Sequence, residues 1–436
     1  MIRRLPQPRS ASPGTSRDAE RRTRRGGPPA GRQRRSLSHL GGRVRWTGDA
    51  RLAHDLASAL DTGDDDGRAL THGFHAYPAR MHPRTARRIL EARLATAAAP
   101  EGAPPIVVDP FCGSGSVAVE SLRAGAQFVG GDISPVALEV AWVRTRVWPA
   151  KRCRQVETRA SRAARMAEDL AREDRRPPPW IRTESSWYDP PALRDVWALG
   201  DAIETEDDPD LRRVLRMVLS SILVKVSRQV SDATTVRDRD HRRVGAGTAI
   251  RLFTRRAHEL AGRLDALRED LRAHGTHPCE PRLEQADARA GGLVARASAS
   301  LILSSPPYLG TYDYLFHHAR RYAALGLPTE FADRHEIGAR RRVRAGPHAA
   351  ATSYARDLAE ALSRMRSALA PGGGIVLLLG DGTVGSEIIR ADELLSRIAP
   401  RAGLEIAAVA SQQRPNWLTG KGAPSRAEHL VELRRG

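Results

Sequence analysis

Residues 104–116 read PPIVVDPFCGSGS, and this stretch decides the fold class. Three consecutive branched apolar residues, Ile106 to Val108, are typical of a strand that is buried on both faces of a sheet. Gly113 and Gly115 follow where a helical pattern begins, and glycine there lets the backbone approach a ligand that a side chain would exclude. The stretch therefore predicts a strand, a glycine turn and a helix, with a cofactor site at the turn.

The pattern of short apolar runs separated by helical stretches continues to the end of the chain. It predicts an α/β fold of the doubly wound, Rossmann-like kind, with a mostly parallel sheet, an antiparallel last strand and a helical insertion. No helical pattern separates the last two strands, so we expect them to pair antiparallel. The predicted strands are Ile106–Val108, Phe128–Gly130, Ser300–Leu303, Gly374–Leu379, Leu404–Ala410 and His429–Leu433.

An acidic residue, Asp132, follows the second predicted strand. Read loosely, Gly113, Gly115 and Ala118 have the spacing of a dinucleotide-binding turn, in which such an acid accepts ribose hydroxyl protons. The spacing alone leaves a structural turn without a ligand as the alternative. The lead-in at 109–111, Asp-Pro-Phe, separates the candidates, because dinucleotide enzymes seldom have it.

The stretch DPFCGSG at 109–115 resembles the first motif of amino-methyltransferases that act on nucleic acids. The resemblance implies S-adenosylmethionine as the cofactor. It implies that Gly113 and Gly115 pass under the methionine part of that cofactor, with Phe111 in the same binding turn. It also implies that Asp109 lies near the cofactor's amino group and that Asp132 binds its ribose.

The stretch LILSSPPY at 301–308 is a predicted buried strand that ends in two prolines. Prolines fix the backbone, so a carbonyl at this turn can be aimed. Methylation of an exocyclic amine needs no covalent nucleophile, only acceptors that free the nitrogen lone pair from ring conjugation. We expect the Ser305 hydroxyl and the Pro306 carbonyl to accept the amino hydrogens. Tyr308 is expected to stack on the extruded base, a contact that contributes about 1–3 kcal/mol.

Ser-Pro-Pro-Tyr is similar to the catalytic motif of DNA amino-methyltransferases, most often those that methylate cytosine N4 and less often adenine N6. The resemblance implies that Ser305, Pro306, Pro307 and Tyr308 form the catalytic motif and that a flipped base of DNA is the substrate. It places the protein in a restriction-modification or defence setting, with a restriction partner as one possibility. A strand-terminating turn without chemical importance is the alternative for the two prolines alone.

Two shorter motifs complete the resemblance. Residues 74–80, Phe-His-Ala-Tyr-Pro-Ala-Arg, resemble a segment that covers the methionine end of the cofactor in the same methyltransferases, which implies roles for Phe74 and Tyr77. Asp287 resembles the acidic residue that meets the adenine amino group. Without the family, the first segment is a loop that packs on the domain, and Asp287 is a cap in a turn.

Two absences restrict the class of enzyme. Cytosine C5 enzymes need a cysteine nucleophile after a strand, and Cys279, which follows the proline at 278, lies among polar residues. The sole asparagine is Asn416, so the Asn-Pro-Pro-Tyr motif of several ribosomal-RNA and glutamine methyltransferases is absent.

The chain divides into four predicted regions. They are a disordered basic arm at 1–46, a cofactor-binding half at 47–149, a helical insertion at 150–280 and a catalytic half at 281–436. Helical patterns fill the insertion at 156–172, 211–230 and 249–273, which makes it the candidate for target recognition. The basic segment Arg340–Arg344 could contact phosphates, or could be a solvated turn.

Composition suggests a polyanionic partner. The formal net charge is +19, although only three of the 70 basic residues are lysine, which is also what a GC-rich genome produces. Three distant cysteines indicate neither disulfides nor a zinc site. The longest strongly apolar run is strand-sized and no signal peptide is evident, so we expect a cytoplasmic protein without a membrane span. Two rival functions remain: base methylation in structured RNA, and a DNA-binding subunit that binds the cofactor without turnover.

Overall fold

The computed structural model describes residues 42–63, 67–95, 103–238, 240–341, 346–385, 387–414 and 426–436. The strands are β1 Val44–Gly48, β2 Ile106–Asp109, β3 Gln127–Asp132, β4 Arg282–Gln285, β5 Ala299–Ser304, β6 Leu369–Gly380, β7 Gly382–Val384, β8 Glu387–Ile389, β9 Leu404–Arg414 and β10 Arg426–Arg435. The helices are α1 Ala50–Leu60, α2 Pro83–Leu94, α3 Ser116–Arg123, α4 Pro135–Arg144, α5 Ala150–Leu170, α6 Pro179–Glu184, α7 Pro190–Glu204, α8 Pro209–Val226, α9 Thr248–Ala273, α10 Tyr314–His317, α11 Ala319–Leu325, α12 Glu330–His335, α13 Pro347–Ala368 and α14 Ala391–Ile398.

The described strands form one large sheet in the order β1-β9-β10-β6-β5-β2-β3-β4, and β7 pairs with β8 apart from it. β2 pairs in parallel with β3 and β5, and β5 pairs in parallel with β6. The last strand, β10, is antiparallel to both of its neighbours, β6 and β9. The predicted fold class is therefore confirmed, and the carboxyl ends of β2 and β5 meet at one edge of the sheet, where α/β proteins place their ligands.

Alternate residues of the central strands point to opposite faces of the sheet, and helices cover both faces. On one face Val107 of β2 and Leu303 of β5 pack in a core that includes residues of α1 and α2. On the other face Val108 and Ile302 pack in a core that includes residues of α13 and α14. The sheet is thus doubly covered, which is why its central strands appear in the sequence as unbroken apolar runs.

Helices α5 to α9 enclose an apolar core of their own. Val140 and Val143 of α4 belong to this core. Leu267 and Leu271 of α9 pack on α3, beside the sheet. The insertion is therefore built directly onto the helices that flank the glycine turn. No helix within the described ranges is both long and apolar enough to cross a membrane.

The two strands at the edges of the sheet, β1 and β4, were not predicted from the sequence. β1 pairs antiparallel with β9, so the predicted boundary of the basic arm at Trp46 is wrong; residues 1–41 of that arm lie outside the described residues. β4 pairs in parallel with β3, outside any predicted strand. Its four residues, Arg-Leu-Glu-Gln, are mostly exposed, and an edge strand of this kind has no apolar pattern to detect.

Candidate active site

The glycine turn after β2 forms the floor of the site. Gly113 has a φ of +49°, and its N–H donates to Asp132 Oδ2 at 2.8 Å. A Cβ added at Gly113 would lie 3.5 Å from the ring of Tyr77. The turn, the acid and the aromatic ring are therefore adjacent, as the motifs led us to expect.

Gly115 serves packing rather than ligand approach. Its φ is +78°, and a Cβ added there would lie 2.9 Å from the Cβ of Ala141 in α4. The residue therefore allows α3 and α4 to approach each other closely. The structure does not bring Gly115 to the surface of the cavity described below.

Two carboxylates lie beside the turn in low-dielectric surroundings. Asp109 is buried, and burial raises its pKa to about 7, although Ser304 Oγ and the Phe111 N–H both donate to Oδ1. Burial also raises the pKa of Asp132 to about 6, despite hydrogen bonds from the backbone of Gly113 and Ser134. An uncompensated carboxylate of this kind is a place where a cationic ligand binds favourably.

The Ser-Pro-Pro-Tyr turn follows β5 and lies next to the glycine turn. Ser305 Oγ donates to the Leu378 carbonyl of β6 at 3.1 Å, so its proton is engaged and its lone pairs can accept. The Pro307 carbonyl accepts from Tyr354 Oη at 2.9 Å, which ties the turn to α13. Pro306 itself is buried under the turn.

One cavity joins the two turns. The space between them, counted together with the open solvent at its entrance, is about 930 Å³. Of the predicted site residues, those that line it are Tyr77, Asp109, Phe111, Gly113, Asp132, Asp287, Ser305 and Pro307. Residues to which no role was assigned also line it: Arg80, at the end of the covering motif, and, among others, Met81, Tyr314, Tyr322, His335 and Ile337.

Tyr308 does not line this cavity. Its side chain is buried, and its ring packs on Gly380, where an added Cβ would lie 2.4 Å from Cε2. Its hydroxyl donates to Glu428 Oε1 of β10 at 3.2 Å. The open ring face expected for base stacking is therefore absent in this conformation, and Tyr308 lies behind the turn that carries Ser305.

The segment that covers the glycine turn contributes Tyr77 but not Phe74. The Tyr77 ring stacks on His318, with centroids 4.8 Å apart, and on Tyr314, with centroids 6.1 Å apart. Phe74 is 1% exposed and belongs to the apolar core of the insertion, so the structure does not place it over the cofactor turn. Aromatic rings thus cover the turn, but most of them come from α10 and α11.

Arg144, which no motif indicated, connects the cover to the glycine turn. Its side chain is fully buried at the end of α4. One guanidinium nitrogen donates to the backbone and side-chain oxygens of Ser114 at 2.8 and 2.6 Å. The other donates to the carbonyls of His72 and His75 at 3.1 and 2.6 Å. The guanidinium therefore fixes both walls of the cavity relative to each other.

Asp287 lies in the cavity wall but is already paired. Its carboxylate accepts from Arg289 Nη2 at 2.7 Å and is hydrogen-bonded to His335 Nδ1 at 2.8 Å. Burial opposes ionisation of Asp287, but these hydrogen bonds outweigh it and hold its pKa below the usual value. A role toward adenine would have to use the remaining lone pairs of the carboxylate.

The basic segment at 340–344 is only partly described, and Arg341 is not available to phosphates. Its guanidinium pairs with Asp313, Asp333 and Glu336. Residues 342–345 lie outside the described residues. The prediction of phosphate binding is therefore wrong for Arg341, which instead holds α10 and α12 together.

Two acids and a histidine near the end of β6 hold neighbouring elements together through hydrogen bonds. Asp381, Asp392 and His429 offer ligand atoms within 4.8 Å of one another. Asp381, however, accepts from Arg390, from the N–H groups of Ala391 and Ala427, and is hydrogen-bonded to His429. These bonds satisfy both carboxylate oxygens and tie α14 and β10 to the edge next to Tyr308.

Comparison with known proteins gives one sequence match and several distant structures. No family model matches the chain. Over 90 residues, 20% of this chain, it is 36% identical to the type II methyltransferase M.MvaI from Kocuria varians, and the match spans about a fifth of that protein, 19% of its length.

Two solved structures illustrate the more distant similarity. The rRNA methyltransferase aviRa from Streptomyces viridochromogenes is 16% identical with a TM-score of 0.35, covering 86% of this chain and 94% of that one. A geranyl diphosphate methyltransferase in complex with GPP and sinefungin is 11% identical with a TM-score of 0.31, covering 84% and 87%. Similarity at this level has no bearing on the substrate.

Proposed function

We propose that the chain is an S-adenosylmethionine-dependent methyltransferase that methylates an exocyclic amino group of a base in DNA, with cytosine N4 preferred over adenine N6. One observation carries the proposal: a single cavity is lined by the glycine turn with Asp132 and by Ser305 of the Ser-Pro-Pro-Tyr turn. The local 36% identity to a type II methyltransferase supports the same class of reaction.

The residues of the cavity fit the proposed cofactor. Its sulfonium and amino groups are cationic, and the cavity is lined by the carboxylates of Asp109 and Asp132 together with the aromatic residues Tyr77 and Tyr314. Cations are attracted both to carboxylates and to aromatic faces in partly desolvated sites. When bound, the cofactor supplies an electrophilic methyl group. Asp132 would hold its ribose, and Gly113 would leave room for its amino-acid part.

Ser305 is the residue that addresses the target amine. Ser305 lines the cavity, and because its proton is donated to the Leu378 carbonyl, its oxygen is left to act as an acceptor. An amino hydrogen bonded there draws the nitrogen toward a pyramidal geometry with an available lone pair. The predicted second acceptor, the Pro306 carbonyl, belongs to a buried residue that does not line the cavity. The Pro307 carbonyl is engaged by Tyr354, which keeps the turn in one orientation. Positioning of this kind supplies most of the acceleration in the proposed reaction.

A labelled-methyl experiment tests the proposal. Duplex DNA and total RNA are incubated separately with the protein and methyl-labelled S-adenosylmethionine, and the nucleosides are then separated and identified by mass. We expect label in DNA, as N4-methylcytosine. Label in RNA alone would replace the proposal with an RNA methyltransferase, and cofactor binding without transfer to either polymer would indicate a non-catalytic subunit.

The Ser305→Ala variant tests the role of the hydroxyl in the proposed reaction. Loss of one hydroxyl removes an acceptor for the amine without opening the cofactor side of the cavity. We expect transfer to fall about 100-fold or more while cofactor affinity, measured by calorimetry, changes little. Transfer at the wild-type rate would remove Ser305 from the proposed mechanism.

A further inference from the structure

Three exposed apolar side chains lie on two segments that are hydrogen-bonded to each other. Among the described residues, six large apolar side chains are at least 36% exposed, and three of these are Val230 (49%), Val236 (60%) and Phe316 (50%). The Val230 N–H donates to the Val236 carbonyl at 3.0 Å, and Gln229, next to Val230, reaches the carbonyl of His317, next to Phe316. Single exposed apolar residues are common, but a cluster of them marks a contact surface.

The two valines lie on a short turn, residues 229–237, that follows α8. Its shape is fixed from inside: the Gln229 amide donates to the carbonyls of Ser231 and Thr234, each at 2.9 Å. Asp232 of the same turn pairs with Arg321, a guanidinium that is 1% exposed. Buried polar groups thus hold the turn in one conformation, with its apolar side chains facing outward.

The turn is joined to the cavity wall through α10. Phe316 belongs to α10, whose first two residues, Tyr314 and Leu315, line the cavity. The Gln229 amide of the turn donates to the His317 carbonyl at the end of the same helix. The exposed apolar side chains are therefore carried by segments that adjoin the cavity, although they do not line it.

Cationic side chains surround the apolar cluster. Exposed Arg237 lies over Trp187, with its guanidinium carbon 4.7 Å from the ring centroid, whereas Arg341, beside the Phe316 ring, is already paired with carboxylates and is not counted among the phosphate contacts. Arg242 and Arg243 are exposed in the next loop, which Asp189 ties to Arg228 at the base of the turn. An apolar tip among arginines is the combination with which proteins enter a base stack while contacting the flanking phosphates.

We propose that Val230, Val236 and Phe316 form a wedge that enters the stack of duplex DNA beside the extruded target base. The wedge fills the space that the base leaves and so holds the duplex open while the base occupies the cavity. This inference rests on the proposed function and extends it from the cavity to the surface that meets the duplex. A wedge is needed only where the target base begins inside a stack, which is the property that the experiment uses.

The test compares stacked with unstacked target bases. A Phe316→Ala/Val236→Ala variant is assayed on a duplex that contains the target site and on the same duplex with a mismatch opposite the target base, where unstacking is already favoured. We expect kcat/KM to fall about tenfold or more on the matched duplex and to stay near wild type on the mismatched one. Cofactor affinity and the unfolding midpoint should not change, because both side chains are exposed.

Trp46→Ala is the control, since Trp46 is an equally exposed aromatic residue (48%) on β1, at the far edge of the sheet. An equal loss on both duplexes would show a general binding role, and no loss on the matched duplex would refute the wedge while leaving the proposed function intact. A wild-type protein that transfers no methyl group to either duplex would instead refute the proposed function. Loss on structured RNA alone would assign the surface to that polymer.

Discussion

At the scale of single residues, Asp109 and Asp132 give the cavity a charge that depends on pH. Burial raises their pKa values to about 7 and about 6, so a fraction of each is protonated near neutrality when no ligand is bound. A carboxyl whose pKa is raised by folding contributes stability below its unfolded-state pKa, and that contribution is lost as the pH rises through the folded-state value. The ligand-free protein therefore becomes less stable between about pH 4 and pH 7 on account of these two residues.

Cofactor binding should have the opposite pH dependence. A cationic cofactor favours the ionised carboxylates, so its affinity should rise by about tenfold or more from pH 5.5 to pH 8, with proton release on binding. Calorimetry in two buffers with different heats of ionisation measures both quantities. Asp109→Asn and Asp132→Asn should each flatten the dependence, and His335→Gln, which changes another titratable group of the cavity wall, should not. A flat wild-type profile would contradict the assignment.

Tyr308 can be tested separately as a packing residue and as a stacking residue. Tyr308→Ala would empty a buried space against Gly380 and cost about 3–5 kcal/mol of the free energy of unfolding, so it cannot isolate a catalytic effect. Tyr308→Phe keeps the ring and loses the hydrogen bonds of the hydroxyl to Glu428 and to Ser305, each worth about 1 kcal/mol. Tyr308→Leu keeps most of the volume but no aromatic face.

If the ring turns to meet the base, the leucine variant should transfer methyl groups about 5- to 150-fold more slowly than the phenylalanine variant, at equal cofactor affinity. Steady-state kinetics with saturating cofactor give this comparison. Equal rates for the two variants would show that Tyr308 only supports the Ser305 turn from behind.

At the scale of elements, Arg144 connects α4, the glycine turn and the covering segment through four hydrogen bonds. Arg144→Met should leave buried carbonyls unsatisfied and lower the free energy of unfolding by about 3–5 kcal/mol. The KM for the cofactor should rise more than kcat falls, because the two walls of the cavity lose their common support. Denaturant unfolding and cofactor titration measure these effects.

Two further variants decide whether Arg144 acts through position. Arg144→Lys retains the charge but cannot reach both walls, and we expect it to recover stability only in part and cofactor affinity hardly at all. Arg165→Met removes an exposed arginine of α5 and should change neither quantity. If cofactor affinity falls in proportion to the free energy of unfolding across the three variants, Arg144 contributes to stability only and does not position the walls of the cavity.

The central elements were predictable because their physical causes are local. β2 and β5 are apolar runs bounded by prolines and glycines, and their pairing follows from the rules for parallel sheets. β1 and β4 were not predictable from the sequence, because an exposed edge strand is specified by the strand next to it rather than by its own residues. Tyr314 and Tyr322 could not be predicted as cavity residues either. They line the cavity because of tertiary packing between segments that are distant in sequence.

At the scale of the whole molecule, the insertion and the sheet share the site. The turn at 229–237 belongs to the insertion, yet Arg321 links it to His318, and the His318 ring stacks on Tyr77 above the glycine turn. Arg321 and His318 therefore connect the turn at 229–237, which carries two residues of the proposed wedge, to the Tyr77 ring beside the glycine turn. Sequence patterns predicted three of the insertion's helices, α5, α8 and α9, but not this connection, because it consists of single long-range pairs.

The net charge of +19 leads to the prediction with the widest reach, the salt dependence of DNA binding. Residues 1–41 hold eleven arginines and two acids, and their removal leaves β1 complete, whereas removal through Trp46 would take three of its five residues. If the arm binds phosphates, truncation at residue 41 should make the slope of log K against log salt shallower by about 0.9 for each phosphate that the arm neutralises.

Anisotropy of a labelled duplex measures this slope, and transfer at saturating DNA should be unchanged because the described residues that line the cavity all lie at or after Tyr77 in the sequence. An Arg162→Gln/Arg165→Gln variant removes exposed charge from α5 instead. An arm that binds phosphates directly must change the slope more per arginine removed than a helix that does not touch the duplex. If the truncated protein and the α5 variant show the same change of slope per arginine, DNA affinity depends on net charge alone and the arm does not bind phosphates directly.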